Sequence, residues 1–452
     1  MMSFRRTMYR AITSLAAVLA LVALPLPAAA ATPSSVALQG ADVTFFFAEG
    51  STQPPFDTWF LVQNPGAAPA TVTFTFQFQG GGSTVRSFVV GPTSRFSLFA
   101  NQVIPNVAFS TRIDSDQPIR AERSMFVSFD GSDVAGVTAP NRTWLFAEGT
   151  TQSPFQTWLL LQNPNAIAAT ATITYFLLGG GTPVTQTLTL APTSRTSVFV
   201  NQVLPNVAFS SRVDSDQPII VERSVFRFPG NAETTETGFN APSTTFFFPD
   251  ARTGRSLSRF PVPFDSFLLL ENANATATTA TITLFLANGT QINLAQTLPA
   301  NSRQSIFLNQ IVPSGSFGIR VQASQPIIAE RSMFFGPEPR GAMNASGSPD
   351  LATQWFLAEG STQFPFTEFI FILNPNPTAT TATVNFQLPG GQVVTRTFAI
   401  APTRSLTINV NDIVPNSPVS ASITTSQPSV VEREMFFTKL GSLGGHDSLA
   451  TR

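Results

Sequence analysis

The stretch FFFAEGSTQPPFDTWFLVQNP at 45–65 returns as WLFAEGTTQSPFQTWLLLQNP at 144–164 and as WFLAEGSTQFPFTEFIFILNP at 355–375. A rewritten copy, FFFPDARTGRSLSRFPVPFDSFLLLENA, stands at 246–273. Downstream, SDQPIRAERSMF at 115–126 recurs as SDQPIIVERSVF, ASQPIIAERSMF and TSQPSVVEREMF. Four copies of a unit of about 100 residues therefore fill most of the 452-residue chain, a length that suits three or four domains.

Each unit reads as strands. Val72, Phe74, Phe76 and Phe78 alternate with Thr71, Thr73, Thr75 and Gln77, the period-two signature of a half-buried strand. The pattern returns at 173–177, 282–286 and 384–388, so Phe74, Ile173, Ile282 and Val384 are expected at equivalent core positions. Gly80-Gly81-Gly82, Gly179-Gly180-Gly181, Asn288-Gly289 and Gly390-Gly391 follow these strands and predict hairpin turns. Trp158–Leu161 is apolar on both faces, which predicts a central strand. About seven strands per unit predict an all-β protein of four tandem immunoglobulin-like β-sandwiches. A propeller of four-stranded blades is the competing architecture. The expected units are 42–140, 141–242, 243–351 (divergent, with a loop insertion) and 352–452. Stretches 127–141, 227–243 and 337–352 are rich in Gly, Pro, Ser, Asn or Asp and read as linkers. Each unit is then expected to fold alone, within a semi-rigid rod.

Residues 1–31 read as a secretory signal peptide: Arg5, Arg6 and Arg10, then the short apolar run 11–24, then Ala28-Ala29-Ala30. No other apolar run reaches spanning length, so no transmembrane segment is expected in the mature chain. The expected location is secreted and extracellular, with association at a cell surface as the bound form.

Composition excludes several functions. The 25 basic and 26 acidic residues give no field for nucleic acid, and with no Cys there is no disulfide or thiol chemistry. The single His, His446, lies in what reads as a flexible tail, so a four-fold His-based active site is excluded. No nucleophile elbow, P-loop, dinucleotide fingerprint or H-E-x-x-H occurs. No catalytic residue, cofactor or metal is expected. Asp114-Ser115-Asp116 and Asp214-Ser215-Asp216 read as solvated turns rather than Ca²⁺ sites, because the other copies lack them. Trp59 and Trp158 fall in the central strand and read as core.

The combination W-x-F-A-E-G, L-L-L-Q-N-P and P-I-x-x-E-R-S-M-F resembles a family of secreted bacterial tandem-repeat modules of unknown function. The resemblance covers all four units. It implies export and a β-sandwich-like module, and it implies no catalytic residue. A Gly-His segment commonly follows the Glu-Arg strand in that family; here only the fourth copy has it, as Gly445-His446.

Two residue sets stand out. Arg123, Arg223, Arg331 and Arg433 have apolar neighbours two positions away, so they point at the apolar face and need a charge partner. The acid recurring at a matched place is Glu49, Glu148, Asp250 and Glu359. The expected clamps are Glu49–Arg123, Glu148–Arg223, Asp250–Arg331 and Glu359–Arg433, each within one unit. Glu122, Glu222, Glu330 and Glu432 point to the opposite face and are not the expected partners. The second set is Arg252, Arg255 and Arg259 in the rewritten loop of the third unit, where binding to an anionic polymer could arise.

The sequence thus reads as a secreted or surface-associated, non-enzymatic protein with a structural, spacer or adhesive role. The alternative is a carbohydrate- or wall-polymer-binding protein using the loop of the third unit. Partners would be cell-wall or extracellular glycans, or other surface proteins.

Overall fold

The Thr–Phe alternation at 70–78 forms the strand it predicts, with Val72, Phe74 and Phe76 buried and Thr71 exposed. The computed structural model describes residues 43–452, except 229–231, 257–261 and 339. The signal peptide expected at 1–31 and Arg259 lie outside the described residues.

In the first unit the strands are β1 (Thr44–Phe47), β2 (Phe56–Asn64), β3 (Ala70–Phe78) and β4 (Ser83–Val90). They continue as β5 (Ser94–Phe99), β6 (Phe109–Ser115), β7 (Arg120–Val127) and β8 (Asp130–Ala135). Two four-stranded sheets result, β1-β6-β3-β4 and β5-β2-β7-β8. Phe45, Phe74 and Ile113 from one sheet share a core with Phe60, Leu98 and Ala121 from the other. The pairs β2–β5 and β3–β6, with β4 beside β3, follow the order of an immunoglobulin sandwich. The terminal strands depart from it: β1 lies beside β6, β7 beside β2, and β8 adds an edge.

The later copies repeat this pattern with β6 and β7 fused into one long strand: Phe209–Arg227, Gly315–Phe335 and Ser420–Lys439. Each long strand serves both sheets of its unit. Phe74, Ile173, Ile282 and Val384 are fully buried at equivalent places. Ile173→Ala is accordingly expected to cost about 2–5 kcal/mol in urea unfolding, through lost burial and a cavity. A cost below about 0.5 kcal/mol would mean that the site is not packed.

The stretches read as linkers contain strands instead. Asp130–Ala135, Ala232–Thr237, Gly341–Ser346 and Ser442–Leu449 each form a hairpin with the preceding Glu-Arg strand. The expected flexible tail around His446 is the last of these, and His446 is 1% exposed. The four strands meet one another around a common axis. Asp130 marks it: its carboxylate accepts from the backbone N–H of Glu233 (3.3 Å), Ala342 (3.0 Å) and Gly445 (2.8 Å), one from each of the other three units. Most side chains here are polar, with Ser132, Asp133, Glu233, Thr235, Asn344 and Asp447 among them. The space they enclose is too small for a water molecule.

The described residues form one compact body. The fourth unit packs on the first as the second packs on the first, so the four close into a ring. A semi-rigid rod is not what the chain forms: a rod would leave the first and last junction faces open.

Candidate functional site

The four junctions of the ring are built from the repeated Glu-Arg strand. Period-two alternation sends the Arg and Glu to opposite faces of one sheet. The Arg of one unit therefore meets the Glu of the next. Arg123 Nη1 lies 2.7 Å from Glu222 Oε2, Arg223 Nη1 2.7 Å from Glu330, Arg331 Nη2 2.7 Å from Glu432, and Arg433 Nη1 2.6 Å from Glu122. The last pair joins the fourth unit to the first. All eight residues are at most 1% exposed. The expectation that these glutamates are not partners is overturned; they serve the neighbouring unit.

The Ala-Glu-Gly motif is the other half of each junction. Glu222 also accepts from the N–H groups of Ala48 (2.8 Å) and Glu49 (3.3 Å). Glu122 does the same for Ala358 (2.7 Å) and Glu359 (3.3 Å), and Glu330 accepts from Ala147 (2.7 Å). At Gly50 a side chain would collide with the Phe109 ring 2.6 Å away, so the motif needs glycine for close approach.

The four expected clamps divide. Glu148 lies 3.3 Å from Arg223 and Glu359 lies 2.9 Å from Arg433, each inside its own unit. Glu49 instead pairs with Arg195 of the second unit at 2.8 Å, and Arg123 takes only the Glu49 backbone carbonyl, at 2.7 Å. Asp250 pairs with Arg252 at 3.1 Å, and Arg331 likewise takes only its backbone carbonyl. Each Arg keeps the glutamate of the next unit and the backbone carbonyl of its own unit's acid, while the carboxylate contact inside the unit varies between copies.

Arg252 is not a surface-loop residue. It is fully buried, 2.7 Å from Glu434, with its guanidinium 4.6 Å from the Phe371 ring centre. The reason is visible along the ring. Arg195 reaches Glu49, and Arg303 and Arg95 donate to the carbonyls of Gly149 and Gly360 in the preceding unit. The fourth unit has Ser405 at that register position, donating to Pro249 O. Arg252 fills the place of the missing arginine from the other side of the junction. Arg255 is exposed.

Burial dominates the charge states. It raises Glu432 to about 8 against the pull of Arg331, and Glu122 to about 7 against that of Arg433. Burial also raises Asp130 to about 8, although four backbone N–H groups favour its ionised form. For Arg331 burial acts downward, but Glu432, Asp447 and Glu434 outweigh it and raise the group. Glu271 is buried with both oxygens unpartnered, and burial pushes it well above the carboxylate range.

A groove of about 580 Å³ opens between the first and second units. Phe56, Trp158, Phe226 and Phe228 supply aromatic surface, Gln53, Gln79 and Gln156 supply amides, and the Glu49–Arg195 pair lies among them. Trp158 is half-buried and stacks on Phe199 at 4.6 Å. It lies at a rim rather than wholly in the core expected for it. Trp144 and Trp355 are buried, with their indole N–H groups on backbone carbonyls.

No protein-family model and no curated protein matches the sequence. Among solved structures, Thermotoga maritima 1070 aligns at 17% identity over 22% of this chain and 94% of its own, with a TM-score of 0.21. A tetra-tandem repeat from the extending region of a large adhesion protein aligns at 11% identity over 86% of this chain and 93% of its own, TM-score 0.11. A Bacteroides uniformis β-glucuronidase aligns at 10% identity over 54% and 28%, TM-score 0.13.

Proposed function

We propose that this is a non-enzymatic, secreted structural or adhesive protein, held at a cell surface through glycan or protein contacts. The observation that supports this reading is the closed circuit of buried ion pairs. The repeated acids and arginines join unit to unit, so the residues common to all four copies hold a shape. The outer strands carry the variable surface: Thr84, Arg86, Ser87 and Val89 in the first unit, and Thr185, Thr187 and Thr189 in the second. A rigid body with four related faces suits several weak contacts at once, where effective concentration raises avidity. The resemblance to exported bacterial repeats and the leader-like N-terminus favour an extracellular location.

The groove favours a second reading, glycan binding. Aromatic rings beside amide side chains stack on sugar faces and bind hydroxyls. This moves the candidate ligand site from the third unit to the junction of the first and second. Fractionation of the native cells and a melting series with wall glycans test both. Surface retention without any glycan-dependent melting shift supports the structural reading. A shift that Trp158→Ala abolishes supports glycan binding. A protein found only in the cytoplasm overturns both.

A further inference from the structure

Where the fourth unit meets the first, Asp133, Glu359 and His446 converge, with one potential ligand atom from each within 4.8 Å of the others. All three are buried. His446 Nδ1 lies 3.7 Å from Glu359 Oε2. Neither ring nitrogen has a hydrogen-bond partner, whereas buried polar groups are normally satisfied. The ring is held instead by Phe126 and Phe437, with centroids 5.7 and 6.2 Å away.

The charge at this junction is unbalanced. Arg433 contacts Glu122, Asp133 and Glu359 at 2.6, 2.7 and 2.9 Å. Buried Glu368 adds a fourth carboxylate, and Arg95 a second guanidinium. Four carboxyl groups face two guanidinium groups, so with all four ionised the cluster carries a net negative charge that one divalent ion would offset. The junction of the third and fourth units has the same ratio, with Asp250, Glu432, Glu434 and Asp447 against Arg252 and Arg331. It has no imidazole. The histidine singles out the closing junction, and its counterparts on the other axial strands, Ser132, Thr234 and Met343, face the same register position of the Glu-Arg strand.

We propose that Asp133, Glu359 and His446 form a buried site for one divalent transition-metal ion of the zinc class, which clamps the fourth unit onto the first. One imidazole nitrogen and two carboxylate oxygens suit a borderline ion such as Zn²⁺. Ca²⁺ takes six or more oxygens, more than this set offers. Tetrahedral ligands at about 2.0–2.2 Å from zinc stand about 3.3–3.6 Å apart, so the cluster needs to contract by about 1 Å. Each carboxylate has several lone pairs, so its contact with Arg433 can persist. The ion would bridge two units that are far apart in sequence, since Asp133 belongs to the first and Glu359 and His446 to the fourth.

The untagged full chain, stripped with EDTA and given Zn²⁺ alone, is expected to keep one zinc through gel filtration. It is also expected to melt at a higher temperature than the stripped protein. Because the chain has a single histidine, a ¹⁵N-imidazole label reports one site, and its resonances are expected to move to metal-bound positions. His446→Gln is expected to lose the retained zinc and the melting shift, whereas Glu434→Gln, at the other acidic junction, keeps both. A wild-type chain that retains no zinc overturns the proposal. So does zinc retained equally by His446→Gln, or a histidine resonance unmoved by zinc; the last needs no variant to fold.

Discussion

Arg331→Met is expected to lower the unfolding free energy of the whole closed body by about 3–5 kcal/mol, the cost of removing one partner from a buried ion pair. Arg331 is fully buried and holds Glu432 at 2.7 Å, Asp447 and the Asp250 carbonyl. Methionine fills much of the side-chain volume but leaves two acids facing each other without a cation. Those acids must then take up protons or water. The variant Arg331→Met with Glu432→Met is expected to recover part of the loss, because it removes an uncompensated charge. Urea unfolding followed by tryptophan fluorescence also distinguishes ring from rod. Trp59, Trp144 and Trp158 lie in the first two units and Trp355 in the fourth. In a closed body all of them report the same earlier transition, although Arg331 is in the third unit. In a rod, only the signal next to the altered junction moves. A loss below about 1 kcal/mol, within the worth of an exposed pair, or an early transition confined to Trp355, would refute the closed circuit.

The strands were legible because their signal is local. Alternation at 70–78 and glycines at 80–82 fix a strand and its turn within a dozen residues, and the repeat confirms the pattern three times over. Ring closure was not legible, for a reason peculiar to repeats. The partner of Arg123 is Glu222, but Glu122 has the same sequence surroundings one unit earlier. Sequence identifies the residue type at a junction and not the copy it comes from. The two faces of the Glu-Arg strand were read correctly. The inference failed at the next step, where a partner was sought inside the same unit.

The axial strands were missed because they look like loops. DGSDVA and GAMNAS are mostly Gly, Ala, Ser, Asp and Asn, and AETTET sets its Thr between acids, so none shows the apolar–polar alternation that marks a strand. Tertiary context overrides propensity there: the pairing with the Glu-Arg strand and the packing around the axis hold these segments extended. One signal did exist. Each segment begins within seven to ten residues of the Arg of its Glu-Arg strand, the short return that a hairpin needs. Arg252 was read as a loop residue because the third unit rewrites its sequence there. Its buried role becomes visible only beside Ser405, where the fourth unit lacks the arginine found in the other three.

Stability is expected to fall as pH rises from 5 to 9, by at least about 3 kcal/mol. Burial holds Glu432 and Asp130 at about 8 in the folded protein, well above ordinary carboxylates. Burial raises Glu434, Glu233 and Glu271 as well. A raised acid binds more protons folded than unfolded. Its stabilising contribution is complete below the unfolded value, about 4, and is lost as pH climbs through the folded value. The surroundings oppose any easy escape. Glu432 faces Arg331 but also Asp447, Asp250 and Glu434, and for Glu271 the repulsion of Glu330 outweighs the pull of Arg212. One group shifted by three to four pH units is worth about 4–5 kcal/mol at most, and the arginines reduce the total by favouring ionised partners. Glu271→Leu provides the internal check. Leu373 stands at the matching place in the fourth unit, so the substitution is compatible with the fold. The variant is expected to be more stable than the parent at pH 9 and to show a shallower decline, because an unpartnered buried carboxylate no longer has to ionise. Urea midpoints measured at pH 5, 7 and 9 in EDTA decide the matter. A flat or rising profile would mean that the buried acids are ionised throughout and that the arginines, not protons, balance the ring.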